Sequence, residues 1–326
     1  MSYTKENLMY ADEVIDARRS KAETEREKRH REVAAKIPDI PKYEAQMAES
    51  GLAVAKAFGM GKDAQKYIED LADINLKTQE YIRTALVNSG YPADYLDTPY
   101  FCKKCGDTGY VGGYFCSCRK ELLDRLTLED LERVSPAGKC TFDNFRLDYY
   151  PEEPDATYGI SPREKMSEIF EYCKCYAEDF GTDSGSLYMR GETGLGKTHL
   201  SLAIANVAAR SGFNVVYGSA QNLLSEVERE KFGGNNSGAA ENKLLSCDLL
   251  IIDDLGSEFA TQFTLTVVYN IINTRINTSK PVIISTNLTD RELEAKYTAR
   301  ITSRIIGNYT SLYFMGRDIR QIKSQE

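Results

Sequence analysis

An α/β fold with a central parallel sheet flanked by helices, preceded by a mainly helical region with a small four-cysteine module, is what this sequence predicts. Three observations carry the prediction. Apolar runs of strand length alternate with helical patterns in the second half: SLYMR (186–190), NVVYG (214–218), DLLIIDD (248–254), PVIISTN (281–287) and SLYFM (311–315). Strands buried on both faces and joined by crossover helices form parallel sheets. GETGLGKT (191–198) fits G-x-x-x-x-G-K-[ST] in full and lies between the first of these strands and a helix, which is the context a phosphate-binding loop needs. Cys102, Cys105, Cys116 and Cys118 crowd together ahead of all this.

Composition bounds the function. The 326 residues are 42% hydrophobic and 28% charged, enough apolar material for a core and a length that suggests two domains. We expect them over 1–135 and 136–326. The formal charge of −8 argues against a wholly basic surface but leaves room for a local nucleic-acid groove. With only His30 and His199, a Ser-His-Asp triad or a multi-histidine metal centre has almost no material. His30, in ETEREKRHRE, reads as part of a solvated helix face. No apolar stretch reaches about 18 residues and MSYTKENLMYADEV lacks the apolar core of a signal peptide, so a cytoplasmic location is expected.

Taken in order, residues 1–36 lack Pro and Gly, and Glu25 and Glu27 each stand four residues before an arginine, Arg29 and Arg31, which supports an exposed helix. IPDIP (37–41) ends it. A second helix is predicted over 62–89, where Tyr67, Leu71, Ile74, Tyr81, Ile82 and Leu86 recur at three- or four-residue spacing; that stripe is either core or a docking surface. Gly90 and Pro92 end it. A short helix is predicted around 119–133, SPAG (135–138) marks a boundary, and GGNNSGAA (233–240) reads as a loop.

The cysteines read C-x₂-C-x₁₀-C-x-C. Four thiolates close a tetrahedral Zn²⁺ site with no open position, which means structure before catalysis; free thiols, a disulfide or an Fe–S site are the alternatives, since CSC is tighter than the usual C-x₂-C. Cys140, Cys173, Cys175 and Cys247 show no such pattern. Basic pairs flank the module at 103–104 and 119–120, and Tyr100, Phe101, Tyr110, Tyr114 and Phe115 either pack it or contact nucleic acid. Protein docking is the favoured reading.

In the loop, Gly191, Gly194 and Gly196 let backbone N–H groups approach phosphate oxygens without a Cβ in the way. Lys197 offers a charge to the β/γ-phosphates, Thr198 a hydroxyl to Mg²⁺, and the helix N-terminus its partial positive charge. About 55 residues downstream, LLIIDDLG ends in Asp253, placed to hold Mg²⁺, and Asp254, placed to orient the attacking water. Glu258 either shares that polarising role or is a surface acid. Asn287, at the tip of VIISTN, can touch the γ-phosphate or its water. Arg300, Arg304, Arg317 and Arg320 are candidates to stabilise developing phosphoryl charge.

With these residues in hand, the second domain resembles the AAA+ ATPases, and within them the DnaC/DnaI-type replicative helicase loaders and the IstB-type transposition ATPases. TFDNF (141–145), GETGLGKTHL, LLIIDDLGSE, IISTNL, ARITSRI and GRDIR carry the resemblance. It implies a P-loop NTPase that hydrolyses ATP, with Gly191, Glu192, Thr193, Gly194, Leu195, Gly196, Lys197, Thr198 and His199 as the Walker-A segment and Asp253 and Asp254 as Walker B. Asn287 takes the sensor-1 position, Arg304 the trans-acting finger and Arg320 sensor 2. It further implies zinc at the cysteine module, an N-terminal domain that binds the replicative hexameric helicase, and ATPase domains that self-associate and bind single-stranded DNA. In that setting Lys231, Phe232, Lys243, Thr261 and Phe263 are candidate DNA contacts. A transposase client is the alternative. A nucleotide kinase and a non-catalytic nucleotide-binding adaptor fit the motifs less completely.

Overall fold

The computed structural model describes residues 3–57, 64–134, 139–156, 159–233 and 238–324. The expected boundary at 135–138 and the middle of the GGNNSGAA loop, 234–237, lie outside the described residues. The chain forms two compact units, one of Tyr10–Arg119 and one of Met1–Met9 with Lys120–Glu326.

The first unit is helical. Helix α1 (Lys5–Lys36) is charged along most of its length, with Ala11, Ile15, Ala22 and Val33 buried on one stripe. Of its two expected ion pairs, Arg29 Nε reaches Glu25 Oε1 at 3.2 Å, whereas Arg31 turns to the Glu27 carbonyl. Pro38 ends α1. Pro41 stands in the first turn of α2 (Ile40–Ala57), where its missing N–H leaves no bond unmade. Helix α2 was not among the sequence expectations, although Tyr43 and Met47, one turn apart, join the core of Val33, Ile40, Ile82 and Leu86. Helix α3 (Ala64–Asn88) spans the expected range. Its apolar stripe is only partly used: Ile82 and Leu86 are buried, while Tyr67, Ile74 and Tyr81 are exposed. His30 is not on a solvated face. It is half-buried, with Nδ1 3.1 Å from Glu44 Oε1 and Nε2 3.3 Å from the Leu96 carbonyl. A two-strand ribbon, β1 (Tyr110–Val111) and β2 (Tyr114–Phe115), closes the unit.

The second unit takes up most of α4 (Ser117–Val134), then α5 (Pro162–Glu178), β3 (Ser186–Arg190), α6 (Lys197–Arg210), β4 (Val215–Ser219), α7 (Ala220–Phe232) and α8 (Ala239–Ser246). It continues through β5 (Leu249–Asp253), α9 (Gln262–Asn277), β6 (Val282–Thr286), α10 (Asp290–Tyr297), α11 (Ala299–Asn308), β7 (Tyr309–Tyr313) and α12 (Ile319–Lys323). The five strands pair in parallel in the order β4-β5-β6-β3-β7. Successive side chains of each strand point to opposite faces. Thus Leu187, Met189, Leu249, Ile251 and Ile283 pack with α5 and α6, while Tyr188, Leu250, Ile252, Val282 and Ile284 pack with α7, α9, α10 and α11. This is why the strands read as unbroken apolar runs. The last strand is displaced from the expected 311–315 to Tyr309–Tyr313, because its register pairs Tyr313 with Arg190, the end of β3; Phe314 and Met315 are buried beyond it.

Helix starts follow local chemistry. Ser161, Ser219, Thr261 and Thr289 accept from the third residue of α5, α7, α9 and α10, satisfying N–H groups that a helix leaves open. Helix α6 has no side-chain cap; Gly196, at φ +91°, precedes it.

Candidate nucleotide site and cysteine centre

The carboxyl ends of β3, β5 and β6 adjoin in the sheet, and ligands of open α/β sheets bind there. The loop 191–196 leaves β3 with Gly191 at φ +145° and Gly194 at φ +78°. A Cβ on Gly191 would meet the Phe314 carbonyl oxygen at 2.6 Å, so the turn requires glycine there. The loop is braced from below by Tyr150, whose hydroxyl donates to the Leu195 carbonyl at 2.8 Å. It is covered by the C-terminal segment, where Ile319 N donates to the Gly194 carbonyl at 3.1 Å.

Lys197 Nζ donates to the carbonyls of Gly191 and Glu192, both at 2.6 Å, and to Asn287 Oδ1 at 2.7 Å. Burial pushes its ammonium down to about 8, against the pull of the Asp254 and Asp253 carboxylates. Anionic phosphate oxygens in the loop would favour its charged form. Thr198 Oγ1 lies 3.1 and 3.0 Å from the two oxygens of Asp253. Asp253 is 7% exposed. Ser285 donates to its Oδ1 at 2.5 Å and Tyr217 to its Oδ2 at 2.9 Å. No lysine, arginine or histidine among the described residues forms an ion pair with it. A buried carboxylate held by hydroxyls alone and lying against Thr198 is a donor set suited to a hydrated divalent cation. Mg²⁺ fits these residues.

Asp254 is left-handed, at φ +54°. Its N–H donates to Ser285 Oγ at 2.8 Å and its Oδ1 accepts from Asn287 Nδ2 at 2.7 Å. Lys197, Asn287 and Asp254 therefore form one connected chain of polar groups. The loop opens on a cavity of about 400 Å³ lined by Thr193 to His199, Asp253, Asp254, Asn287 and Arg320. Sequence reasoning missed part of its wall: Cys140, Asn144, Arg146, Tyr149, Ile319 and Lys323. Cys140, Asn144, Arg146 and Tyr149 come from single turns and the links between them, and Ile319 and Lys323 from the five-residue helix α12, all too short for a periodic signal. His199 lines the cavity with Nε2 2.8 Å from the Thr141 carbonyl and its ring edge-on to Phe145.

Other predicted residues stand elsewhere. Glu258 is neither a surface acid nor free to polarise water. It is 3% exposed and accepts from Gly256 N at 3.0 Å and from the Tyr297 hydroxyl, with Lys296 Nζ 3.7 Å away. Arg304 does not line the cavity of its own chain; its Nε donates to Asn273 Oδ1 at 2.9 Å, and its guanidinium lies over Tyr269. Arg300 and Arg317 are exposed. Lys231 and Lys243 are exposed, Thr261 caps α9, and half-buried Phe263 meets Phe232 edge-on at 5.2 Å with Lys231 over its ring.

In the first unit, the sulfur atoms of Cys102, Cys105, Cys116 and Cys118 all lie within 4.8 Å of one another. Cys102 and Cys116 are 3.8 Å apart, Cys105 and Cys118 3.6 Å. Zn–S bonds of about 2.3 Å in a tetrahedron put sulfurs about 3.8 Å apart, so the residues fit zinc. Asp107, 2% exposed, accepts from the Phe101 and Cys102 amides at 2.8 Å each and shapes the first knuckle. The module's aromatics do not all pack it: Phe101 and Tyr114 are 71% and 80% exposed. Of the basic flank, Arg119 is withdrawn, buried over the rings of Tyr110 and Phe115 and paired with Asp12 at 2.5 Å.

The second half of the chain is similar to known proteins. Residues 175–307 match the family of IstB-like ATP binding proteins. The replicative helicase loader DnaC of Buchnera aphidicola subsp. Baizongia pistaciae is 26% identical over 179 residues, which cover 54% of this chain and 67% of that protein. The replicative helicase loader DnaC of Escherichia coli K12 is 25% identical over 174 residues, covering 52% of this chain and 64% of that protein. A crystal structure of the DnaC helicase loader superposes with a TM-score of 0.46 at 19% identity, over 56% of this chain and all of that one. The second unit is thus similar to IstB-like ATP binding proteins and to replicative helicase loaders named DnaC.

Proposed function

We propose that this chain is an ATP-dependent loader of a replicative hexameric DNA helicase. The observation that carries the reading is the polar chain Lys197–Asn287–Asp254 beside the Thr198–Asp253 pair, on a domain whose relatives are named helicase loaders. Gly191 to His199 embrace the phosphates, with Lys197 on the β/γ-phosphates and Arg320 closing the pocket within the chain. Thr198 and Asp253 would hold Mg²⁺, which would supply Lewis-acid neutralisation of phosphate charge. Asp254, fixed by Asn287, orients the attacking water and accepts its proton. Arg304 serves the phosphate of a neighbouring copy, so hydrolysis depends on self-association.

Residues 1–135, with zinc on Cys102, Cys105, Cys116 and Cys118, bind the helicase. Lys231, Phe232, Lys243, Thr261 and Phe263 contact single-stranded DNA, with base stacking on an aromatic worth about 1–3 kcal/mol. The setting is cytoplasmic, in keeping with the absence, among the described residues, of a helix long and apolar enough to cross a membrane.

The match to IstB-like proteins over 175–307 favours a second reading, an ATPase that assists a transposase. Co-purification of the full chain with a hexameric helicase and with a transposase, each with and without ATP, separates the two. Stoichiometric helicase binding is the expected result. Binding to the transposase alone would replace the first reading with the second.

A further inference from the structure

Asp253 reaches its metal-facing position through neighbours that the loop motifs do not contain. Side chains two apart on a strand share a face. Tyr217 on β4, Asp253 on β5 and Ser285 on β6 all follow residues that pack toward α6, namely Val215, Ile251 and Ile283. Ile251 pairs with Ile283, so Ser285 lies across from Asp253, and Tyr217, which pairs with Ile251, lies diagonally. The result is a carboxylate gripped at both oxygens, Oδ1 by Ser285 at 2.5 Å and Oδ2 by Tyr217 at 2.9 Å. Thr198, shared between the two oxygens, fills the near edge.

We propose that Tyr217 is a positioning residue for magnesium: its hydroxyl locks the Asp253 carboxylate plane so that the remaining lone pairs face the water shell of the ion. This rests on the reading of the site as one for Mg²⁺ and nucleotide. Two features distinguish Tyr217 from an ordinary packing residue. Its ring packs with the apolar cluster under α6, so the phenol oxygen is held by a rigid body rather than a flexible chain. Its hydroxyl also serves a carboxylate with no ion-pair partner among the described residues, so loss of the bond falls on the orientation of the one group that must meet the cation. Ser285 cannot replace it, since Ser285 Oγ also accepts from the Asp254 amide and is tied to the other aspartate.

Tyr217→Phe removes one oxygen and leaves the ring. Binding of a fluorescent ATP analogue to the full chain is measured in EDTA and across a Mg²⁺ titration, with Mn²⁺ affinity in the presence of ADP followed by electron paramagnetic resonance. Loss of a group that orients a metal ligand costs roughly 10–100-fold in metal affinity. The expected result is a Mg²⁺ midpoint and a Mn²⁺ dissociation constant raised by about 10-fold, with affinity in EDTA and the melting temperature unaltered. Wild-type midpoints in the variant would overturn the assignment to Tyr217 alone. A loss of affinity in EDTA equal to that in Mg²⁺ would overturn it too, by making the residue structural. A wild-type chain whose nucleotide binding ignores Mg²⁺ would overturn this inference and the reading beneath it together.

Discussion

Asn287 holds Asp254: its Nδ2 donates to Asp254 Oδ1 at 2.7 Å, while its Oδ1 accepts from Lys197 at 2.7 Å. A single amide thus joins Lys197 to Asp254, and it holds Asp254 in a left-handed conformation that only Gly, Asn and Asp visit readily. Asn287→Ala should lower kcat on the order of 10²-fold, the cost of removing a preorganised polar group that acts on developing charge, and leave the dissociation constant for ATP within a few-fold. Single-turnover hydrolysis beside equilibrium binding measures both; equal losses in the two would contradict it.

Glu258 is expected to be structural. Its carboxylate is enclosed by the Tyr297 hydroxyl, the Gly256 amide and Lys296, tying the loop after β5 to α10. Glu258→Ala leaves the Gly256 amide and the buried Tyr297 hydroxyl without their acceptor and takes the carboxylate from beside the half-buried Lys296 ammonium, and should cost about 1–3 kcal/mol. Thermal unfolding of the second unit checks this, and a melting temperature like that of the wild type would refute it.

Arg275 is fully buried with no carboxylate partner among the described residues. Its guanidinium donates to the carbonyls of Leu244 at 2.8 Å, Cys247 at 3.0 Å and Pro281 at 2.8 Å. It therefore staples α8 and the entries to β5 and β6 from one point. Lysine has a single ammonium and cannot span these acceptors, so Arg275→Lys should destabilise by about 3 kcal/mol or more, at roughly 1–3 kcal/mol for each buried carbonyl left unpaired. Urea unfolding followed by circular dichroism would show the transition at lower denaturant; an unmoved midpoint would argue against the staple.

The cysteine centre should carry about one zinc ion per chain. Cys116, 2% exposed, lies deepest, and Cys116→Ser should release the metal and unfold the ribbon β1–β2. Metal analysis together with thiol titration tests this: protected thiols without metal would point to another chemistry.

Arg304 stands apart from the cavity of its own chain, bonded to Asn273. Arg304→Ala should bind ATP normally and lose DNA-stimulated turnover. Mixed with Lys197→Ala, which retains Arg304 but cannot use nucleotide, it should regain part of that turnover, because the intact pocket of one meets the arginine of the other. No recovery on mixing would place the arginine's action within the chain.

Much of the fold was readable because its signals are local. Buried parallel strands must be apolar throughout, so β3, β5 and β6 stand out as unbroken runs, and the phosphate loop announces itself because its backbone geometry demands Gly191 beside Lys197 and Thr198. The four cysteines are legible for the same reason: a metal-binding knuckle is built from neighbours in sequence. Helix α2 was missed because Pro41 and Gly51, residues that usually break a helix, stand within its 18 residues and mask its apolar stripe. The two ends of the apolar run SLYFM could not be told apart, since the register of β7 is set by its partner β3.

What the sequence by itself determined is the set of candidate residues for the chemistry: Lys197, Thr198, Asp253, Asp254, Asn287 and the cysteine quartet. Only the tertiary structure decided how they are held. Tyr217 and Ser285 reach Asp253 because parallel register puts three strands' side chains on one face, a distance relation that linear spacing does not encode. Glu258, five residues past Asp253, read as either a polarising acid or a surface acid; α10 folds over it and makes it an anchor. Arg304 is held against α9 by its bond to Asn273, away from the cavity of its own chain. Motifs specify atoms and reach along the chain, but burial and partnership depend on which elements pack together, and those contacts join residues far apart in sequence.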